Sequence, residues 1–166
     1  FSEAYHKVWT APGNMMMGLY LHDDAAIKRG IAEAEKLLGQ KTVGKWYKEL
    51  SRFMLSLVNC DMPEASRSLN ALCEGYRYYD NEFMMPIEKL FCTPAHGLYN
   101  LARRVLPKKD FARLEMPSHD TFFREFALWQ RENNYPAGKQ ALFYPEYPLR
   151  FMNEIINLPV LPSNAP

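Results

Sequence analysis

The segment of residues 42–79 has the clearest periodic pattern in the chain, and it constrains the fold more than any other segment. Apolar side chains recur in it at intervals of three or four residues, in two runs separated by residues 60–64. This spacing lines one face of an α-helix with apolar side chains. The two predicted apolar faces consist of Val43, Trp46, Tyr47, Leu50, Phe53, Met54 and Leu57, and of Ala65, Leu69, Leu72, Cys73, Tyr76 and Tyr79.

The residues between the two runs, Cys60-Asp61-Met62-Pro63-Glu64, have the composition of a helix start. The Asp61 carboxylate can accept hydrogen bonds from the free N–H groups of the second helix, and Pro63 suits the first helical turn. Glu64 can reach back to the N–H group of the capping residue. The segment is therefore predicted to form two antiparallel helices joined by a tight turn.

Three helices are predicted before this hairpin. The first covers residues 2–9 and ends at Pro12, whose ring removes a helical hydrogen bond. The second covers residues 14–21, which include three consecutive methionines, better suited to the core than to a docking surface, and no β-branched residue. The third covers residues 24–38 and is predicted to stop at Gly39, since glycine favours the left-handed conformation at a helix end.

Three further helices are predicted after the hairpin. One begins with Thr93 as its cap and runs to Leu106, and a second begins at residues 118–120. Prolines in residues 133–148 predict an ordered extended loop, after which Pro148 begins the last helix. The second of these helices is predicted to pack through a face of Phe122, Phe126 and Trp129, flanked by Phe123 and Ala127.

These elements predict an all-α fold, a compact multi-helix bundle of antiparallel helical hairpins in a single domain over residues 1–166. A chain of 166 residues with 48% apolar residues can bury a substantial core. Alignment of Asp23 with Asp61 gives a weak internal repeat at an offset of 38 residues, so tetratricopeptide-like stacking of the hairpins stays open as an alternative. Because the chain begins at Phe1 without a methionine, inside an apparent helix, we expect an N-terminal segment to precede it.

Composition restricts the classes of partner. A net charge of +1 does not favour recognition of a polyanion, so no nucleic acid is expected. Three cysteines without a Cys-x-x-Cys spacing favour a reducing compartment. Neither a long apolar span nor a signal-peptide pattern occurs, which favours a cytoplasmic protein without a membrane partner.

Two constellations could in principle carry chemistry. Cys92 and His96, four residues apart, could act as nucleophile and base, although no third orienting group is identifiable. His22 and His119 each adjoin aspartates and could belong to a divalent-metal site, but aspartates at helix starts are expected for capping alone. Pro117 separates Arg113 from His119 and disfavours a ribonuclease-like pair on one helix. The sequence therefore predicts no catalytic residue, metal or cofactor.

A third constellation favours protein binding. Tyr78, Asp80 and Glu82 follow the second arm of the hairpin and point away from its apolar stripe. An exposed tyrosine beside carboxylates is typical of a protein-binding hot spot, because its side chain is amphipathic and has few rotamers. The alternative is an ordinary solvated helix face. We predict that these three residues contact a partner.

The order of helices resembles that of the helical immunity proteins of bacterial polymorphic toxin systems. The residues that carry the resemblance are 55–69, Leu-Ser-Leu-Val-Asn-Cys-Asp-Met-Pro-Glu-Ala-Ser-Arg-Ser-Leu, the tyrosine-rich arm after them, and 148–152, Pro-Leu-Arg-Phe-Met. The resemblance implies a cytoplasmic protein without enzymatic activity that binds one cognate toxin and neutralises it. The near-neutral charge departs from that of a strongly acidic nucleic-acid mimic.

Three functions remain open at this point. The first is an immunity protein that inhibits a toxin by direct contact. The second is a repeat-type scaffold that binds a peptide or a protein assembly, which predicts a concave groove lined by exposed aromatic residues. The third is an enzyme whose site is split between helices, which predicts a pocket that gathers His22, His96 or His119 with carboxylates.

Overall fold

The computed structural model describes residues 3–78 and 86–135, and it confirms the predicted all-helical bundle. No strand occurs in these two ranges. The predicted extended loop and last helix, at residues 133–148 and beyond, lie almost entirely outside them. The helices are α1 (Glu3–Leu21), α2 (Asp24–Gly39), α3 (Lys45–Val58), α4 (Met62–Tyr76), α5 (Thr93–Val105), α6 (Lys108–Phe111) and α7 (Arg124–Glu132), with a short 3₁₀ helix at Pro86–Leu90.

Helices α3 and α4 form the predicted antiparallel hairpin, and their facing apolar stripes make the centre of the core. Five of its side chains have almost no exposed surface, namely Phe53, Met54, Leu57, Leu69 and Leu72. The Trp46 indole N–H donates to the Leu72 carbonyl at 3.2 Å and ties the two arms together. Asp61 caps α4 as predicted, but the Glu64 carboxylate accepts from the Arg67 side chain at 2.7 Å and does not reach back to the cap.

The two short helices predicted at residues 2–9 and 14–21 are one continuous helix, α1, with Pro12 inside it. A proline in a helix interior costs about 3 kcal/mol. Pro12 is fully buried, as are Ala11 and Met15 beside it, so packing of α1 offsets the lost hydrogen bond. Of the three consecutive methionines, only Met15 belongs to the core.

Two glycines let the backbones of α1 and α2 approach each other closely. A Cβ atom added at Gly30 would lie 2.5 Å from Met15 Cγ and 2.8 Å from the Met15 amide nitrogen. One added at Gly18 would lie 2.6 Å from Ile27 Cγ1 and 2.8 Å from the Ile27 amide nitrogen. These distances are far below an ordinary contact, so α1 and α2 can pack this closely only because Gly18 and Gly30 have no side chain.

The two hairpins close with the same bend. Asp23 caps α2 by accepting from two backbone N–H groups at 2.9 and 3.0 Å, as Asp61 caps α4. The preceding residues, His22 and Cys60, both have a left-handed backbone, with φ of 57° and 54°. The N–H group of each aspartate donates to the carbonyl five residues earlier at 2.9 Å. The weak repeat of 38 residues in the sequence therefore corresponds to a repeated bend in the structure.

Two helix ends differ from the sequence prediction. Gly39 remains within α2 without a left-handed conformation, and Gln40 follows it in an extended conformation, with its N–H group bonded to a carbonyl of the last turn. At the start of α5 the capping position belongs to Cys92, and Thr93 is already helical. The reason is tertiary: the Cys92 N–H group donates to the Thr121 carbonyl at 2.8 Å and its side chain is fully buried.

The helix predicted to begin at residues 118–120 begins instead at Arg124. Residues 114–119, which we call the strap, are irregular and lie across α4. The Asn70 side-chain oxygen accepts from the N–H groups of Ser118 and His119 at 2.9 and 3.3 Å, and Ser66 Oγ accepts from the Glu115 N–H group at 3.0 Å. The first N–H groups of a helix have no partner within it, so these bonds alone would permit a helix here. The Thr121 carbonyl, however, accepts from the Cys92 N–H group at 2.8 Å, so it is not available to a helix that begins at residues 118–120.

Within residues 3–78 and 86–135, no helix combines the length and the apolar character needed to cross a membrane.

Candidate functional site

Of the three residues predicted to contact a partner, Tyr78 is described and is 87% exposed just beyond the end of α4. Asp80 and Glu82 lie outside the described residues. Tyr78 borders a cleft of about 520 Å³ at the open end of the α3–α4 hairpin, together with Trp46 and Tyr47. The structure therefore places this tyrosine on the surface, where the prediction requires it.

A larger exposed aromatic surface lies on α7. Phe123, Phe126 and Trp129 are 51%, 37% and 50% exposed, and we call them the aromatic row. Their rings stack in sequence, with centroid distances of 6.5 Å and 6.4 Å and interplanar angles of 9° and 11°. The prediction that these residues pack inward is wrong, because α7 begins later than expected and turns Ala127 to the core, while Phe122 packs inward from the preceding turn.

His96, on α5, contacts the residues at the start of α7. It is only 6% exposed, and its ring lies between Phe122 and Phe91, with centroid distances of 4.0 Å and 4.6 Å. Its Nε2 atom accepts from the Phe123 N–H group at 3.1 Å, so the neutral ring carries its proton on Nδ1. Burial lowers the pKa of His96 to about 4. His96 therefore holds the aromatic row in place.

Cys92 forms a hydrogen bond with the thiol of Cys73, and both side chains are fully buried. This bond raises the pKa of Cys73 and lowers that of Cys92, because Cys73 donates the proton and Cys92 accepts it. Neither Cys92 nor His96 is open to a substrate, so the sequence-predicted nucleophile and base occupy structural positions in the core.

The other candidate ligands also have local structural partners. Asp23 caps α2, and Asp120 forms an ion pair with Arg77 at 2.5 Å. His119 Nδ1 lies 3.0 Å from Thr121 Oγ1. Over residues 3–78 and 86–135, no group of three or more histidine, cysteine, aspartate or glutamate residues could hold a metal ion.

A second cleft, of about 750 Å³, lies between α4, the strap and α7, and no pattern in the sequence indicates it. We call it the basic cleft, because arginines line it on two sides. Arg67 comes from α4, and Arg124 and Arg131 come from α7. The nearly buried side chain of Tyr99, on α5, also lines it. Its polar and apolar walls come from segments distant in sequence, which no local pattern could bring together.

The basic cleft and the aromatic row lie on different sides of α7. At 100° per residue, Arg124, Leu128 and Arg131 share one stripe, and Phe126 and Trp129 lie on the far side of the buried Ala127. One short helix thus presents a cationic surface and an aromatic surface on two different sides.

Comparisons with protein-family models, curated protein sequences and solved structures found no match to this chain.

Proposed function

We propose that this protein neutralises a cognate bacterial toxin by direct contact in the cytoplasm, without catalysing a reaction. The observation that carries the proposal is the aromatic row, three large stacked side chains that remain exposed on a helix end. Aromatic and arginine residues dominate the binding energy of protein interfaces. α7 supplies both residue types, with the aromatic row on one side and Arg124 and Arg131 on another.

Rigidity also supports a binding role for α7. The Phe123 N–H group is held by His96, and Ala127 is buried against the core. Stacking of the three rings on one another limits their rotamers before a partner arrives. Binding through a preformed surface loses less conformational entropy than binding through a flexible one.

A repeat-type scaffold is the second candidate, and the repeated bend of the α1–α2 and α3–α4 hairpins favours it. Such a scaffold would bind a peptide or a larger assembly and would not protect a cell from a toxin. The two functions therefore differ in a growth assay as well as in the stoichiometry of the complex.

The test expresses the product of the neighbouring gene, as the candidate toxin, with or without the protein. We expect the protein to restore growth and to form a tight one-to-one complex with the purified toxin. Replacement of Trp129 with alanine should weaken that complex by about 30-fold or more, the effect of losing a hot-spot side chain of about 2 kcal/mol. Tyr78→Ala measures the contribution of the sequence-predicted site in the same assay.

Tyr20→Ala is the matched control, because Tyr20 is also an aromatic residue, 48% exposed, but lies on α1. Its affinity for the toxin should stay within about twofold of the parent, a surface change of under 0.5 kcal/mol. A toxin that binds Trp129→Ala as tightly as the parent would refute the role of the aromatic row. Toxicity that persists despite full expression of the protein would refute neutralisation itself.

A further inference from the structure

We propose that the basic cleft binds an acidic stretch of polypeptide, through carboxylates that pair with Arg124 and Arg131. If the protein neutralises a toxin, as proposed above, this acidic stretch belongs to the toxin. Recognition of an acidic peptide by the cleft does not depend on that function.

The two α7 arginines are available for a ligand. Arg124 donates to the Pro117 carbonyl at 3.3 Å, and within the described part of the chain neither Arg124 nor Arg131 pairs with a carboxylate. Arg67, across the cleft, differs from them because Glu64 holds it and Glu49 lies 3.7 Å away. A guanidinium group offers a planar fork of N–H donors that fits a carboxylate. Arg124 and Arg131 can therefore each bind one carboxylate of a ligand.

Tyr99 adds a third donor. The residue is only 4% exposed, yet it lines the cleft, and in the described ranges no hydrogen bond involves its hydroxyl. Burial raises the pKa of Tyr99, so the hydroxyl keeps its proton and can donate it. Arg124, Arg131 and Tyr99 all line the basic cleft, so the three donors surround one region. The hydroxyl reaches the solvent of the cleft, so an incoming anion can replace water as its acceptor.

The size and walls of the cleft favour a peptide over a small anion. A volume of about 750 Å³ lies in the range that holds a drug-sized ligand, far more than one phosphate or carboxylate fills. Leu114, Met116 and Leu128 give it apolar surface, which an amphipathic peptide would cover.

The spacing of the arginines sets the spacing of the acidic residues. Arg124 and Arg131 are seven residues apart on a helix, which corresponds to about 10 Å along its axis. Three residues of a peptide in the polyproline II conformation span about 9 Å, and because that conformation has three residues per turn, they also place both acidic side chains on the same side. A segment with two acidic residues three positions apart, and apolar residues between them, fits the cleft.

A nucleic acid fits less well. Glu115 also lines the cleft, Glu64 stands beside Arg67, and the whole chain carries a net charge of only +1. A long polyanion needs an extended positive surface to replace its counterions. Two guanidinium groups without a carboxylate partner in the described part of the chain match the two carboxylates of a short peptide instead.

The experiment titrates the full chain with a fluorescein-labelled ten-residue peptide that carries two glutamates three positions apart among leucines. A peptide with glutamines in their place is the ligand control. We expect the acidic peptide to bind at least about tenfold more tightly, since each charge-assisted pair contributes more than 1.4 kcal/mol. Affinity should fall as salt rises from 0.05 to 0.5 M, because salt screens these charge pairs. The Debye length shortens from about 10 Å at 0.1 M to about 3 Å at 1 M.

The protein variants are Arg124→Gln and Arg131→Gln, each expected to weaken the acidic peptide by about tenfold. Tyr99→Phe keeps the ring and removes only the hydroxyl, so it should weaken binding less, by a few fold. Arg29→Gln is the matched control, because it removes the same charge from the exposed surface of α2, away from the cleft. Circular dichroism verifies that each variant is folded. If Arg131→Gln is not folded, Arg131→Lys replaces it, because lysine keeps the charge but loses the planar fork of donors.

Three results would overturn the proposal. Equal binding of the two peptides would show that the carboxylates are not recognised. Tighter binding of a uridine oligonucleotide, lost in Arg131→Gln, would assign the cleft to nucleic acid. Complete competition by inorganic phosphate at the concentration of the peptide would reduce the cleft to a site for a single anion. Peptide binding is measured without the toxin, so failure of neutralisation and failure of the cleft are separate outcomes.

Discussion

Replacement of Gly30 with alanine should destabilise the protein, although alanine is the better helix former. The new Cβ atom would lie 2.8 Å from the Met15 amide nitrogen, and an ordinary contact of 3.4 Å requires α1 and α2 to separate by about 0.6 Å. Overpacking costs about 1–3 kcal/mol, and a clash with backbone atoms, which cannot rotate away, belongs in the upper part of that range, about 2–3 kcal/mol. The gain in helix propensity returns about 1 kcal/mol. We therefore expect a net loss of about 1–2 kcal/mol and a Tm lower by roughly 4 °C.

Gly97→Ala is the matched control, because Gly97 is also inside a helix, α5, and a Cβ atom there would meet no atom within 4 Å. It should stabilise the protein by about 0.5–1 kcal/mol through helix propensity alone. Urea unfolding and calorimetry of the parent and the two variants measure both changes. If Gly30→Ala were as stabilising as Gly97→Ala, α1 and α2 could not pack backbone to backbone, and the reasoning would be refuted.

Three further outcomes are expected. Because the folded-state pKa of His96 is about 4 and the unfolded value is near 6.5, its contribution is complete above pH 6.5 and is lost as pH falls towards 4; urea unfolding should show a loss of about 2 kcal/mol at pH 5, absent in His96→Gln. Asn70→Ala removes the acceptor of the strap and should cost about 1–2 kcal/mol by the same measurement, whereas Asn70→Asp, which keeps the acceptor oxygen, should cost less. Iodoacetamide and mass spectrometry should find Cys60 modified in the native protein and the buried Cys73 and Cys92 modified only after denaturation, and labelling of all three at the same rate would contradict their burial.

The central hairpin could be predicted because its information is local. Leu50, Phe53 and Leu69 repeat with the helical period, and Asp61 has the chemistry of a helix cap. Each of these signals spans only a few residues. The structure accordingly confirms the predicted hairpin, its bend and its buried face.

Helix boundaries that depend on distant partners could not be predicted. Pro12 is helical because α1 buries it, and no helix begins at residues 118–120 because the Thr121 carbonyl bonds to Cys92 on another segment. A local rule ranks proline as a stop and Ser-His-Asp as a start. Tertiary contacts worth a few kcal/mol reverse both rankings.

The candidate sites follow the same division. Exposure of Tyr78 could be predicted from the helical period of α4, since one helix determines it. The aromatic row could not, because a shift in the start of α7 changes which of its residues face the core. The basic cleft combines Arg67, Tyr99 and Arg131, which lie on three helices, and its existence depends on how those helices pack.

The left-handed residues at the two bends leave this protein a reserve of stability. A side chain in that conformation costs about 1 kcal/mol or more, and neither His22 nor Cys60 lines either cleft described above. Glycine at these positions would relieve the strain and compensate for mutations elsewhere that destabilise the chain. Substitutions on either cleft can therefore be combined with glycine at these bends, which restores the stability that the cleft substitutions remove.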